Sequence, residues 1–190
     1  MNMPHFPLFI NLTQKNILIV GATTLAKDKI KRLLPFVKKI TIVATRIDPE
    51  IHDMAQSAPL TIHQREWAME DLKGMDMVIV AASEADLQKE IFSACTKKRI
   101  LCNTVDVPKY CHFFFPALIT RGDLSIGIST GGKAPAVSKK VKEYIDGMLP
   151  KNLDDAVSQL ISLRTSLEPG IEQMKKVAEW TGKVLKEILK

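Results

Sequence analysis

Apolar residues in the first hundred positions fall in short unbroken runs, and stretches of helical spacing alternate with them. Residues 16–20 read N-I-L-I-V and stop at Gly21, the pattern of a strand buried on both faces. Leu25, Ile30, Leu33 and Leu34 then recur at helical spacing around a charged face until Pro35 ends the run. Residues 39–43 are a second β-branched run, 60–63 a less apolar third, 77–82 (M-V-I-V-A-A) a fully apolar fourth and 100–104 a fifth. Ser83 is the expected N-cap of a helix reaching about Thr96. This alternation predicts βαβ units and a parallel sheet. Beyond it the period changes. Residues 113–119 and 124–129 are strand-like runs joined by T-R-G-D, which predicts a hairpin. Helices are expected at 135–148, 153–166 and 171–189, set off by Leu149-Pro150 and Pro169-Gly170. The expected segments are 1–112, 113–148 and a helical 149–190.

Composition narrows the class. The chain has 190 residues, 46% apolar and 25% charged, ordinary for a globular protein and too apolar for disorder. No apolar run approaches the roughly 18 residues of a membrane span, and no secretory pattern opens the chain. Cys95, Cys102 and Cys111 form no C-x-x-C pair, so a reduced, cytoplasmic protein without a membrane partner is expected. The net charge of +6 is unevenly spread. Residues 1–132 carry 16 basic and 13 acidic side chains, and 133–190 carry 11 and 8, so each part nets +3. Denser positive charge toward the C-terminus suits an anionic ligand, or a solvated helical surface. It forms no stripe and accompanies no nucleic-acid motif, so no nucleic-acid partner is expected.

The turn after the first run, Gly21-Ala22-Thr23-Thr24-Leu25-Ala26, stands where a dinucleotide fingerprint G-x-G-x-x-G/A belongs. Gly21 supplies the tight turn and Ala26 a small residue for helix–strand packing. Thr23 replaces the glycine that lets a pyrophosphate approach, so its side chain either blocks the phosphate or donates a hydrogen bond to it. The second run ends Ala44-Thr45-Arg46 without the acid expected about 20 positions on, and Arg46 is either a 2′-phosphate contact or a solvated loop residue. Asp106 follows the fifth run, where ligands of open α/β sheets bind, and is either a proton acceptor or a turn-capping carboxylate. Ser129, Thr130, Gly131, Gly132 and Lys133 precede a helix and serve either an anion or the turn itself. His112, beside Cys111, lacks the spacing of a metal site but is the one histidine near a carboxylate and a thiol. Lys133, Lys139, Lys140 and Lys142 either steer anions or are solvated.

Ordered motifs over residues 4–165 resemble those of the precorrin-2 dehydrogenase/sirohydrochlorin ferrochelatase family, the dehydrogenase half of sirohaem synthase. They are Phe6-Pro7-Leu8-Phe9; Leu18-Ile19-Val20-Gly21 with Ala26 and Lys29; and Ala81-Ala82-Ser83. Cys102-Asn103-Thr104-Val105-Asp106-Val107-Pro108, Phe114-Phe115-Pro116-Ala117 and Ser129-Thr130-Gly131-Gly132-Lys133-Ala134-Pro135 follow. The methyltransferase half of the fused enzymes is not matched, so the resemblance is to a stand-alone form. It implies an α/β fold: a Rossmann-like parallel-sheet domain, a small β-hairpin/helix dimerisation unit and a C-terminal helical domain. It implies NAD-dependent oxidation of precorrin-2 to sirohydrochlorin, with NADP not excluded, and ferrous iron as a second substrate in chelatase members. It implies a tetrapyrrole ligand and a homodimer. Asp106 is then the catalytic residue. The loop residues Gly21 to Ala26, with Ala44, Ala82, Ser83 and Asn103, are the dinucleotide contacts, and Ser129 to Lys133 the substrate contacts. The divergent Thr23 leaves a second expectation, a chelatase or tetrapyrrole-binding relative that does not use NAD.

Overall fold

The structure, a computed structural model, describes residues 5–188, and its backbone divides into two compact units after Phe114. The first unit is a five-stranded parallel sheet in the order β3-β2-β1-β4-β5. The strands are β1 (Ile17–Ala22), β2 (Ile40–Ile47), β3 (Leu60–Gln64), β4 (Met77–Val80) and β5 (Leu101–Thr104), with helices α1 (Thr24–Leu33), α2 (Pro49–Ala55) and α3 (Ala85–Lys98). β1 is buried along both faces, from Ile17 at 1% exposure to Val20 at 3%, as its unbroken apolar run requires. Leu18 and Val20 meet Val78 and Val80 of β4, Cys102 of β5, and Ile91, Ala94 and Cys95 of α3 in one cluster. The crossovers β1-α1-β2 and β4-α3-β5 run outward in opposite directions, so right-handed connections put α1 and α3 on opposite faces.

Between β1 and β4 the winding reverses, and the carboxyl ends of these strands open a crevice of the kind that takes ligands. Gly21 sits at its floor with φ 93°, where a Cβ would lie 2.7 Å from the Ala82 nitrogen and 2.8 Å from the Ala81 carbonyl carbon. Only glycine supplies both the conformation and the space.

The second unit holds the antiparallel pair β6 (Ala117–Arg121) and β7 (Leu124–Ile128), then α4 (Pro135–Met148), α5 (Leu153–Ser166) and α6 (Ile171–Ile188). The expected last residue of α6, Leu189, lies outside the described residues.

Several elements differ from the sequence expectation. β6 begins at Ala117 rather than residue 113, because the Phe113 carbonyl accepts a hydrogen bond from the Asn103 side chain and Pro116 has no N–H. Phe113 and Phe115 therefore do not share a strand face. α2, absent from the sequence reading, starts on Asp48-Pro49, a capping carboxylate followed by proline at the first helical position. Ser83 is not the cap of α3. Glu84 takes that position without a side-chain bond, while Gln88 reaches back to the Ala82 carbonyl at 2.7 Å. Among the described residues no helix is long and apolar enough to cross a membrane.

Candidate functional site

The turn between β1 and α1 leaves the helix start without a side-chain cap. Thr23 is the N-cap of α1 but makes no capping bond, so the first-turn amides of Thr24, Leu25 and Ala26 receive no side-chain acceptor. Unsatisfied first-turn amides and the helix dipole together favour negative charge. Thr23 has φ −89° and ψ 178°, ordinary extended backbone, so a β-branched residue costs no conformational strain there. Its hydroxyl leans sideways, 3.5 Å from the Ala81 carbonyl. Ala26 is buried against the sheet, whereas Thr24 and Leu25 are exposed.

An acid does follow the second strand, at Asp48. β2 runs on past Arg46 to Ile47, because the register with β1 shifts between Val20 and Ala22 and pairs Ala22 with Ile47. The Asp48 N–H donates to the Ala22 carbonyl at 2.9 Å, which brings Asp48 beside the start of α1. One carboxylate oxygen accepts from the Glu50 N–H at 3.0 Å, and the other lies 3.4 Å from the Thr24 hydroxyl. The alternation Thr45-Arg46-Ile47 and the Asp-Pro pair were the signals that could have found it. Ala44 is buried within β2, and Arg46 is exposed.

At the ends of β4 and β5 the expected residues divide. Ala82 and Ser83 lie on the crevice loop, Ser83 exposed and free of capping duty. Asn103 is buried, and its amide nitrogen donates to the Phe113 carbonyl at 2.8 Å and to the Cys111 sulfur at 3.4 Å. Through that nitrogen it fastens residues 111–113 to β5. Asp106 is exposed and sits in the left-handed backbone region at φ 61°, which aspartate tolerates better than most residues. The turn that carries it is gripped from below. The single Cys111 S–H is shared between the Thr104 carbonyl at 3.2 Å and the Val107 carbonyl at 3.4 Å, one on each side of Asp106. Burial pushes the Cys111 thiol up, so it acts as a donor rather than a thiolate. Cys102, deeper in the core, is pushed up further by the neighbouring Cys95 thiol and by burial.

His112 is not available as a metal ligand. Its Nδ1 accepts from the Cys102 N–H at 3.0 Å, and its Nε2 lies 3.1 Å from the Thr96 hydroxyl. That hydroxyl already donates to the Phe92 carbonyl at 2.9 Å, so Nε2 is the donor and both ring nitrogens are occupied. The ring also packs against Phe92, centroids 4.8 Å apart. Among the described residues no three His, Cys, Asp or Glu side chains come together as a metal site.

In the second unit the turn 129–133 largely satisfies itself. The Ser129 hydroxyl accepts from the Gly131 N–H at 3.1 Å, and the Thr130 hydroxyl accepts from the Ala134 N–H at 3.0 Å and the Ser138 hydroxyl at 3.3 Å. The Lys133 N–H donates to the Thr130 carbonyl at 3.2 Å. Gly131 and Gly132 take φ 63° and 76°, which explains the pair. What this turn presents outward is the exposed Lys133 ammonium rather than a nest of open amides.

A recess lined by Ile10, Asn11, Leu12, Thr13, Pro35, Phe36, Val37 and Lys38 lies at the amino ends of β1 and β2. That is the opposite end of the sheet from the crevice, and it carries none of these groups.

Known proteins resemble the chain along the same lines. Residues 8–117 match the sequence profile described as putative NAD(P)-binding, and residues 121–148 match the central region of the sirohaem biosynthesis protein. Siroheme synthase 1 of Aeromonas hydrophila subsp. hydrophila is 30% identical over 178 residues, 94% of this chain and 38% of that protein. Siroheme synthase 2 of Yersinia enterocolitica serotype O:8 is 32% identical over 171 residues, 90% of this chain and 35% of that protein. The chain thus spans little more than a third of the length of these curated relatives. The solved structure of SirC, a precorrin-2 dehydrogenase, superposes with a TM-score of 0.78 at 23% identity, over 97% of this chain and 98% of that one.

Proposed function

The chain belongs to the putative NAD(P)-binding family, whose profile covers its sheet unit, and from this premise we propose that it oxidises precorrin-2 to sirohydrochlorin with NAD. The observation that carries the reading is the crevice itself. Uncapped amides of α1, a glycine floor and an acid at the end of β2 lie at the same carboxyl edge of the sheet as an exposed carboxylate on the β5 turn. These residues fit a dinucleotide. The Thr24, Leu25 and Ala26 amides would hold the pyrophosphate, and Asp48 would accept from a ribose hydroxyl. Its negative charge disfavours a 2′-phosphate, which supports NAD over NADP. Ala82 and Ser83 complete the crevice wall. A bound nicotinamide ring supplies the chemistry of hydride acceptance. The chain's own part is the accompanying proton, which leaves the substrate and which Asp106 accepts. Lys133 is assigned to the substrate's carboxylates by its charge. Insertion of ferrous iron into the product is a second reading that the same carboxylate favours, since displaced pyrrole protons need an acceptor.

Calorimetric titration with NAD and NADP, followed by anaerobic turnover of precorrin-2 monitored by reduced nicotinamide absorbance, tests the proposal. NAD is expected to bind at least about tenfold more tightly than NADP. Asp106→Asn is expected to keep that affinity and lose about a hundredfold or more in kcat. Tetrapyrrole binding without saturable dinucleotide binding would replace the proposal with an NAD-independent relative. Undiminished turnover by Asp106→Asn would remove that residue from the chemistry.

We also propose that the chain is a homodimer through α4. Val137, Val141, Tyr144 and Met148 recur at i, i+4, i+7 and i+11, with exposures of 53%, 39%, 69% and 65%. An apolar stripe of that length is what an isologous helix contact uses.

A further inference from the structure

Gln88 is a polar side chain in an apolar place. It opens the buried stripe of α3, ahead of Ile91, Ala94 and Cys95, and is 8% exposed. A buried amide is unfavourable unless it is hydrogen-bonded, and an apolar residue would suit that stripe better. Its side-chain nitrogen donates to the Ala82 carbonyl at 2.7 Å, and its backbone N–H donates to the Glu84 carbonyl at 3.0 Å. These bonds hold the loop between β4 and α3 from the helix side. From the strand side, the Ala81 N–H donates to the Val20 carbonyl at 2.8 Å, and Gly21 packs against the backbone of Ala81 and Ala82. Ser83, between the two held carbonyls, is exposed, and its N–H makes no hydrogen bond among the described residues. The Ala82 carbonyl and the Ser83 N–H belong to one trans peptide unit and point in opposite directions. The bond from Gln88 therefore turns the Ser83 N–H away from the Gln88 side chain.

We propose that Gln88 is a positioning residue for the crevice: by holding the Ala82 carbonyl toward α3, it aims the Ser83 N–H at the bound dinucleotide as a fixed donor. A peptide unit left unheld rotates about its flanking torsions, and ordering it when the ligand arrives weakens binding. The amide of Gln88 does not itself reach the ligand; it acts through the Ala82–Ser83 peptide. That role accounts for an amide where the helix pattern calls for an apolar side chain. The binding part of this inference rests on the dinucleotide reading above; the orientation of the Ser83 peptide does not.

The test uses Gln88→Met and Gln88→Glu of the full chain. Methionine fills similar space without a donor. A buried glutamic acid titrates above its usual range; protonated, it donates to the Ala82 carbonyl as the amide does, and ionised, it repels that carbonyl. In calorimetric titration with NAD, Gln88→Met should bind about tenfold more weakly than the wild type, both at about pH 5 and at about pH 8.5. Gln88→Glu should stay within about twofold of the wild type at the lower pH and weaken about tenfold at the higher. In the ligand-free chain, the Ser83 amide resonance of Gln88→Glu should move with pH across that range, and that of the wild type should stay in place. Undiminished NAD affinity in Gln88→Met, or a Gln88→Glu affinity that tracks the wild type at both pH values, would overturn the proposal. A stationary Ser83 resonance in Gln88→Glu would overturn it as well. If the wild-type chain does not bind NAD, the function proposed above falls, and the resonance still decides whether Gln88 sets the Ser83 peptide.

Discussion

At the scale of single residues, two positions of the phosphate turn have separate physical masters. Gly21 answers to the protein, since any side chain there would strike the backbone of Ala81 and Ala82. Thr23 is under no such backbone demand, because its own φ and ψ are ordinary and its hydroxyl only leans toward the Ala81 carbonyl. The sequence showed that Thr23 departs from the fingerprint but not that the departure is free of strain. Asp48 was illegible for a different reason. Its value depends on a register shift between β1 and β2, and register is a property of two strands. Asn103 and His112 looked like ligand groups by position, and the structure shows a further use: His112 and the Asn103 amide nitrogen hold residues 111–113 to β5. Thr104 offers a direct check on the ledger of buried polar atoms. Its hydroxyl is buried and has no partner in good hydrogen-bond geometry among the described residues, the Cys102 thiol beside it offering a weak sulfur contact at best. Thr104→Val is expected to raise stability by about 1 kcal/mol, read as a higher urea midpoint with an unchanged slope.

At the scale of elements, the strands were the most legible part, because burial on both faces leaves an unbroken apolar run that no helix of that length would need. The hairpin's start was less so. Phe113 to Phe115 have strand composition, but a tertiary hydrogen bond and a proline take the backbone out of the ladder. The turn before β4 shows how polar contacts set an element's edge. Asp71 accepts from the Ala68 N–H at 2.9 Å and from the two terminal guanidinium nitrogens of Arg65, at 2.6 and 2.9 Å. The Arg65 bonds hold the Asp71 carboxyl below its usual value of 3.8, opposed by burial and aided by the Ala68 N–H. A carboxylate with a depressed folded pKa contributes fully above its unfolded value and stops contributing as the pH falls through the folded one. Asp71→Asn is therefore expected to cost about 1 kcal/mol at neutral pH. That gap should close as the pH falls below the usual carboxylate value, when urea midpoints of the two proteins are compared across the range.

At the scale of the molecule, the alternation of apolar runs with helical stretches foretold the doubly wound sheet, the hairpin and the three closing helices. A single chain cannot reveal what covers an outward stripe, and the α4 stripe is one such question. Sedimentation of the wild-type chain should give a dimer, and Tyr144→Glu or Val141→Glu, each placing a charge on that stripe, should give a folded monomer. A monomeric wild type would remove the stripe from the assembly. The excess positive charge has also been given places. Lys27 is committed to Glu50 and Lys140 to Glu143, while Lys133 stands exposed at the turn before α4.

The close approach of Gly21 to the end of β4 bears on how such chains are recognised. Gly21 is demanded by the protein's own backbone whatever the ligand, whereas the backbone makes no such demand at Thr23, where the fingerprint has its second glycine. Searches that require the second glycine will pass over sequences like this one. Searches that pair the first glycine with two small residues closing the fourth strand, here Ala81 and Ala82, will retain them.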